Sequence, residues 1–317
     1  MSKKEYIKPN RKYDDKMIEM LYQLIPDFIN KDDIKKIYEK HFDQIWESQW
    51  FGLEYDVSNK DKIISPSFFF FYNYFDLPIE DKTVDKFKNI FGPYLKDLTG
   101  IELEYDSAKS KNYDGIFVRL KDNNSPISKT NFIRNFAKLI PNFNIQNINN
   151  SISTLNKFNN SFWLGNLFGR KDPYLRILLL NNVIDDIPKI LREINWKGNI
   201  SKIMEKIKPM KEINNLCYLN GIQFSLKDET DKYVGIEITS RKKALLLGYL
   251  IHMELVDKDK IINMMEMHPQ SLHRLSHVKI MFDEDGFKNT KIYCAYPNPH
   301  NITEEGLEIM ENEIQEG

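Results

Sequence analysis

A unit of two short strands and a helix recurs along this sequence of 317 residues. The first copy, WFGLEYDVSNKDKIISPSFFFFYN (50–73), reads as a strand, a polar turn at 59–61 and a second strand. Phe51, Leu53 and Tyr55 alternate with smaller or polar neighbours, which is the period of two that one buried strand face produces. Because hairpins pair neighbouring strands antiparallel, the recurrence predicts an antiparallel sheet.

Four further hairpins follow at intervals of roughly 50–60 residues, over 100–122, 161–181, 216–240 and 277–297. Helical three-four spacing of apolar residues fills the intervals, over 79–98, 127–139, 184–194, 200–210, 241–255 and 258–267. A helical region with a break near Pro26 is predicted for 11–47, a loop for the Asn-rich 142–160, and a short helix for 302–314.

The second face of each predicted hairpin mixes acidic and basic residues, namely Glu54, Asp56, Glu102, Glu104, Arg119, Lys121, Arg176, Glu237, Lys279 and Lys291. An open sheet would leave this face to water, whereas closure removes the sheet edges and encloses the face in a wide lumen. The predicted fold is α+β: a ten-stranded antiparallel barrel with an outer ring of helices, built from about five repeated units. We expect one domain over 1–317, with N-terminal helices at 1–47 and a tail at 298–317. A plain open sheet is the alternative.

Composition excludes several functional classes. The formal net charge is −1 and the pI about 6.6, so no overall field favours nucleic acid or anionic lipid. No apolar run approaches the ~20 residues of a membrane span, and the N-terminus has no apolar signal region. Two cysteines exclude a cysteine-based zinc site and a disulfide framework. We expect a cytoplasmic monomer.

Common catalytic motifs are missing from the sequence. It contains no GxGxxG, P-loop, GxSxG or DDxxD motif. His268, His273 and His277 occur in HPQSLHRLSH, whose spacing differs from HExxH, and Pro269 interrupts a helix between the first histidine and the others. These histidines therefore do not indicate a metal site.

Three stretches carry a family resemblance. GLEYDVSNKDKIISPSFFFF, FVRLKD (117–122) and NTKIYCAY (289–296) resemble the first hairpin, fourth strand and last strand of cyanobactin-type peptide prenyltransferases. Glu54 matches that family's strand-one glutamate, Arg119 its strand-four arginine, and Lys291 with Tyr293 its final basic and tyrosine pair. The family has the ABBA fold, or PT barrel, a ten-stranded barrel of repeated αββα units, which agrees with the predicted topology.

The resemblance implies transfer of an allylic group, dimethylallyl or geranyl, from its diphosphate to an aromatic or other nucleophilic side chain of a linear or cyclic peptide natural product. Mg²⁺ would be held through the diphosphate, with no direct protein ligand. Glu54 would be the acceptor carboxylate. The candidate diphosphate ligands are Arg119, Lys121, Arg176, Lys279 and Lys291, and the candidate cation shield is Phe117, Tyr218 and Tyr293.

The sequence departs from that family at the proposed donor site. Ser67 stands where the family has an arginine, and Gly115 and Phe117 stand where it has a basic residue and a histidine. The lumen should therefore be less cationic, which favours a second hypothesis: a non-catalytic barrel that binds a hydrophobic or peptide ligand. Basic side chains that converge at one end would support the enzyme, and paired charges throughout would support the binding protein. Arg119 paired with Glu102 or Glu104 is the structural alternative for that arginine.

Overall fold

The computed structural model describes residues 18–19, 21–41, 48, 50–72, 82–92, 98–105, 114–120, 129–140, 161–167, 175–180, 182–212, 217–226 and 230–297. The predicted loop at 142–160, the tail at 298–317 and Lys121 lie outside these residues, as does most of the predicted helix before Pro26.

Ten strands form one closed barrel. They are β1 Trp50–Asp56, β2 Ser67–Tyr72, β3 Leu98–Tyr105, β4 Gly115–Leu120, β5 Phe162–Leu167, β6 Leu175–Leu180, β7 Cys217–Leu226, β8 Thr230–Ser240, β9 Leu275–Asp283 and β10 Gly286–Pro297. Each strand pairs antiparallel with its neighbours in the chain, and β1 pairs with β10 to close the sheet. The predicted barrel is confirmed, and the open sheet is excluded because β1 and β10 leave no free edge.

Helices alternate with the hairpins along the chain. They are α1 Lys31–Lys40, α2 Lys82–Phe91, α3 Lys129–Ala137, α4 Ile187–Glu193, α5 Ile200–Glu212, α6 Lys243–His252, α7 Lys258–Glu266 and α8 Pro269–Arg274. The helix α8 differs from the prediction, in which Pro269 interrupts any helix after His268. Proline at the start of a helix costs no hydrogen bond, so Pro269 begins α8 instead. Among the helices that the structure describes, none is long and apolar enough to cross a membrane.

The hydrophobic core lies between the outer face of the barrel and the helices. Phe51, Leu53 and Tyr55 of β1 are buried there, as the alternation predicts. Helices contribute large buried rings, such as Phe91 of α2, which meets Phe132 of α3 edge-on with 5.4 Å between ring centroids. Each such side chain contributes about 1.5–3 kcal/mol on burial, so this layer is the main source of stability.

The two ends of the barrel differ. At one end, the chain passes from the first to the second strand of each hairpin, and we call this the hairpin end. At the other end, helical connections join one hairpin to the next, and we call this the connection end. Trp50 is the first residue of β1, and Ala295 lies two positions before the last residue of β10. Both side chains therefore face the lumen at the connection end.

Candidate active site

A cavity of about 230 Å³ occupies the lumen. It extends from the connection end, where Trp50, Leu180, Ser276 and Ala295 line it, toward the hairpin end, where Glu104 of β3 and Arg176 of β6 line it. The cavity is therefore a pocket inside the barrel that follows the strands along much of their length.

Aromatic rings form much of the cavity wall, contributed by Trp50, Phe69, Phe117, Trp163 and Tyr293. Phe69 meets Trp50 edge-on at 5.5 Å and lies 5.9 Å from Tyr293 between centroids, so three rings are continuous along β1, β2 and β10. Ring faces attract a cation with about 0.5–2 kcal/mol each and exclude water from it. The wall is therefore suited to a carbocation or to an apolar ligand.

A hydrogen-bonded network crosses β1, β10, β9 and β8. Glu54 accepts a hydrogen bond from Lys291 through Oε1 and one from the Tyr293 hydroxyl through Oε2. Nζ of Lys279 donates to the Tyr293 hydroxyl at 2.6 Å and lies 3.0 Å from Oε1 of Glu237. The strand register produces this order, since Glu54 is opposite Tyr293 and Lys279 is opposite both Lys291 and Glu237.

The network fixes the charge of both its carboxyl groups. Burial opposes ionisation of Glu54, but Lys291 and Lys279 outweigh it and lower the pKa of that carboxyl to about 2. Burial likewise opposes ionisation of Glu237, and Lys279 with His277 lowers its pKa below the ordinary value. Both groups are carboxylates at neutral pH. A carboxylate whose pKa is about 2 and whose two oxygens already accept hydrogen bonds is a poor proton acceptor.

The opposite wall carries a second set of charges. Glu102 and Glu104 of β3, Arg119 of β4 and Arg176 of β6 line the cavity. Nε of Arg119 donates to Oγ of Ser161 at 3.3 Å. Burial and the neighbouring Glu104 raise the pKa of Glu102 well above its ordinary value. Glu102 therefore keeps its proton at pH values where an exposed glutamate is ionised.

A β-bulge brings Ser276 and His277 to the cavity together. His277 is registered with Tyr293, but the next pair is Leu275 with Cys294, so Ser276 is the extra residue. Both residues line the cavity. His277 is not among the predicted site residues, although its two-residue spacing from Lys279 places both side chains on one face of the strand and could have identified it.

Most of the predicted site residues meet in the lumen. Arg119, Arg176, Lys279, Phe117 and Tyr293 line the cavity. Glu54 and Lys291 are not among the residues that line the cavity. Glu54 accepts a hydrogen bond from the lining residue Tyr293, and Lys291 is registered with the lining residue Lys279 on β9. Lys121 is outside the described residues.

Tyr218 does not join the predicted cation shield. It is the second residue of β7, at the open connection end, and is 43% exposed. The guanidinium of Arg241 lies 5.8 Å from its ring centroid, so the ring already faces a cation outside the cavity. Tyr218 is therefore not part of the site that we describe.

Over the ranges that the structure describes, no group of three or more His, Cys, Asp or Glu side chains is arranged to hold a metal ion. Repulsion between Glu102 and Glu104 contributes to the raised pKa of Glu102, so a nearby cation would favour the ionised form of this acidic pair.

Sequence comparison identifies no relatives. No protein-family profile matches the chain, and no curated protein matches it by sequence.

Solved structures do resemble the chain. One is the prenyltransferase PriB in a ternary complex with L-tryptophan and dimethylallyl thiolodiphosphate, with a TM-score of 0.56, 10% identity, and coverage of 90% of this chain and 96% of that one. Another is 5-dimethylallyltryptophan synthase from Streptomyces coelicolor, with a TM-score of 0.55, 8% identity, and coverage of 92% and 97%. PriB with product diphosphate also matches, with a TM-score of 0.51, 9% identity, and coverage of 90% and 95%.

The closed ten-stranded barrel with outer helices is thus the architecture of aromatic prenyltransferases. The chain has the ABBA fold, or PT barrel, that the three motifs implied. At 8–10% identity the similarity concerns the fold, so the chemistry has to be argued from the cavity itself.

Proposed function

We propose that the protein is a prenyltransferase that moves a dimethylallyl or geranyl group from its diphosphate to an aromatic or other nucleophilic side chain of a peptide. The observation that carries the proposal is the cavity, where basic side chains and aromatic rings share one enclosed space within an ABBA barrel. The donor and acceptor bound to PriB, dimethylallyl thiolodiphosphate and L-tryptophan, support an allylic donor and an aromatic acceptor. A peptide acceptor rests on the three motifs that resemble cyanobactin-type enzymes.

Arg119, Arg176 and Lys279 are the donor-binding groups that line the cavity. When the bond between C1 and the diphosphate oxygen breaks, the electron pair stays on the leaving group. Fixed cations stabilise that developing charge more than they stabilise the neutral ester linkage, which lowers the barrier. Binding the donor requires Lys279 to shift part of its interaction from Glu237 to the diphosphate.

The aromatic wall protects the allylic cation until the acceptor attacks. Phe117 and Tyr293 are the rings predicted for this role, and Trp50, Phe69 and Trp163 extend the same surface. Glu54 holds the hydroxyl of Tyr293 and the ammonium of Lys291 in place. Its two engaged oxygens suit it to orienting this wall rather than to contacting the acceptor.

Mg²⁺ is the cofactor we propose, carried by the diphosphate. It would partly neutralise the diphosphate and would lie near the carboxyl groups of Glu102 and Glu104, which line the same cavity as Arg176. Its requirement is tested directly by assaying the protein with Mg²⁺ and with a chelator.

Turnover tests the proposal. The purified protein is incubated with dimethylallyl or geranyl diphosphate and a panel of tryptophan, tyrosine and cyclic peptides, and products are detected by mass spectrometry. We expect one acceptor class to gain C5H8 or C10H16. Lys279→Met and Arg176→Met should lower the rate at least tenfold, whereas Lys189→Met, which neutralises an exposed lysine on α4, should not. Failure of every donor and acceptor pair overturns the proposal.

A second function is favoured by the ion pairs in the lumen. Lys291 pairs with Glu54 and Lys279 with Glu237, so two of the basic candidates already have anionic partners. A non-catalytic barrel that binds an apolar or peptide ligand would have this property. It would bind acceptor peptides with no dependence on allylic diphosphate, and it would release no pyrophosphate.

A further inference from the structure

The network leaves the reaction without an obvious base. Attack on the allylic cation by a phenol, indole or amide releases one proton, and Glu54 is poorly suited to take it. Both of its oxygens accept hydrogen bonds, from Lys291 and Tyr293. A group that takes the proton must reach the cavity and have an unshared electron pair at neutral pH.

His277 meets these geometric requirements. It lines the cavity, and its ring lies parallel to that of Tyr293, with 4.3 Å between centroids and 15° between planes. Its Nε2 lies 3.6 Å from Oε2 of Glu237, and its Nδ1 lies 3.1 Å from Oγ of Ser276. The carboxylate favours the proton on Nε2, which leaves the lone pair on Nδ1.

Ser276 shows how an acceptor reaches that lone pair. Its side chain is exposed at the connection end, and the bulge turns it to the cavity beside His277. Rotation of the serine hydroxyl frees Nδ1 for the hydroxyl or amine of an acceptor that enters from this end. Bulges that re-aim a side chain in this way are common next to active sites.

We propose that Nδ1 of His277, held by Glu237, accepts the proton that the prenyl acceptor releases. The proposal rests on the proposed function. In the step, the C1–O bond of the donor breaks with its electron pair on the diphosphate, and the acceptor's electron pair forms the new bond to C1. The acceptor proton passes to Nδ1, and the carboxylate of Glu237 stabilises the imidazolium that results.

The surrounding charges agree with a neutral histidine before the reaction. Burial lowers the pKa of His277 below its ordinary value, although Glu237 on β8 and Glu54 on β1 oppose that change, and Lys279 on β9 adds to it. Tyr293 on β10 covers one ring face. The ring is therefore able to accept a proton at neutral pH.

The pH profile of transfer separates His277 from Glu54. In the wild-type protein we expect the rate to fall tenfold per pH unit below an apparent pKa that is lower than the usual histidine range. His277→Gln should lower the rate about 10²-fold or more and remove this acid limb, while dimethylallyl thiolodiphosphate still stabilises the variant against heat. Added imidazole should restore part of the activity of His277→Ala.

Two further variants test the role of Glu237 and provide a control for replacing a histidine elsewhere in the protein. Glu237→Gln should move the acid limb to lower pH, because the carboxylate that raises the pKa of His277 is gone. His252→Gln, at an exposed histidine on α6, should keep the wild-type rate and profile. If His277→Gln keeps the wild-type rate and acid limb while Glu54→Gln loses both, the role of His277 is overturned. A wild-type protein that transfers no allylic group removes the proposed function together with this role.

Discussion

The ring of Phe117 on β4 lies across Gly165, its registered partner on β5. A Cβ atom at Gly165 would overlap the ring atoms of Phe117, so the ring has its observed position only because residue 165 is glycine. Phe69 has the same relationship to Gly52 on β1. Glycine therefore lets large rings lie flat against the barrel wall, and this keeps the centre of the lumen open.

Gly165→Ala should displace Phe117 into the cavity. We expect a loss of about 1–3 kcal/mol in the free energy of unfolding by urea, the range for an overpacked interior. The variant should also bind a geranyl donor less tightly, since the displaced ring occupies cavity space. Pairing Gly165→Ala with Phe117→Leu should recover part of both losses. Equal losses with and without the second substitution would show that the glycine matters for another reason.

Lys291→Met tests the ion pair with Glu54. The two side chains are 27% and 14% exposed, so the pair is partly buried, and the substitution leaves a carboxylate with fewer partners. We expect a loss of about 2 kcal/mol in the free energy of unfolding, below the ~3–5 kcal/mol of fully buried pairs. The matched control is Lys211→Met, whose pair with Asp185 is 51% and 55% exposed and should contribute under about 1 kcal/mol. Similar losses in both variants would contradict this difference.

Glu102→Gln should change the pH dependence of stability. The pKa of Glu102 is raised in the folded protein by burial, Glu104, Glu237 and Glu54, and Lys279 opposes them. Its contribution is therefore complete below the unfolded-state pKa of about 4.3 and is lost as pH rises toward the folded value. Glutamine removes this loss, so the variant should gain unfolding free energy relative to wild type as the pH rises above the unfolded-state value of about 4.3.

Glu54→Gln is a control for which the pH dependence of stability should have the opposite sign. Because the pKa of Glu54 is lowered to about 2, its contribution is present above about pH 4.3 and is lost as pH falls toward 2. Glu54→Gln should be less stable than wild type at pH 7, with a difference that shrinks toward pH 2. Thermal unfolding of the three proteins across this range measures both trends. Parallel curves for wild type and Glu102→Gln would mean that residue 102 titrates normally.

The fold was predictable because its pattern is local. Alternation at Phe51, Leu53 and Tyr55 predicts the strand, its turn residues predict the hairpin, and the mixed second face favours closure over an open sheet. The partners within the lumen were not predictable. Glu54 and Lys291 are separated by 237 positions and meet only because β1 closes on β10. Closure register depends on long-range packing that no single stretch of sequence contains.

Local irregularities explain the remaining differences. The bulge at Ser276 adds one residue to β9, and nothing in LSHVKIMFD distinguishes it from a regular strand. Tyr218 satisfies the alternation but lies at the open end of β7, so its exposure depends on where the strand begins. Glu102, Glu104 and Glu237, which belong to the mixed face of the predicted strands, line the cavity together with basic residues.

Donor binding tests the central claim most directly. Thermal unfolding is measured with dimethylallyl and geranyl thiodiphosphates, with Mg²⁺ and with a chelator, for the wild-type protein and Lys279→Met. We predict a Mg²⁺-dependent stabilisation of the wild type that approaches about 2.7 kcal/mol at 100 times the dissociation constant, and a much smaller one for Lys279→Met. No stabilisation of the wild type at millimolar ligand would contradict a diphosphate site in this barrel and would favour the non-catalytic binding protein.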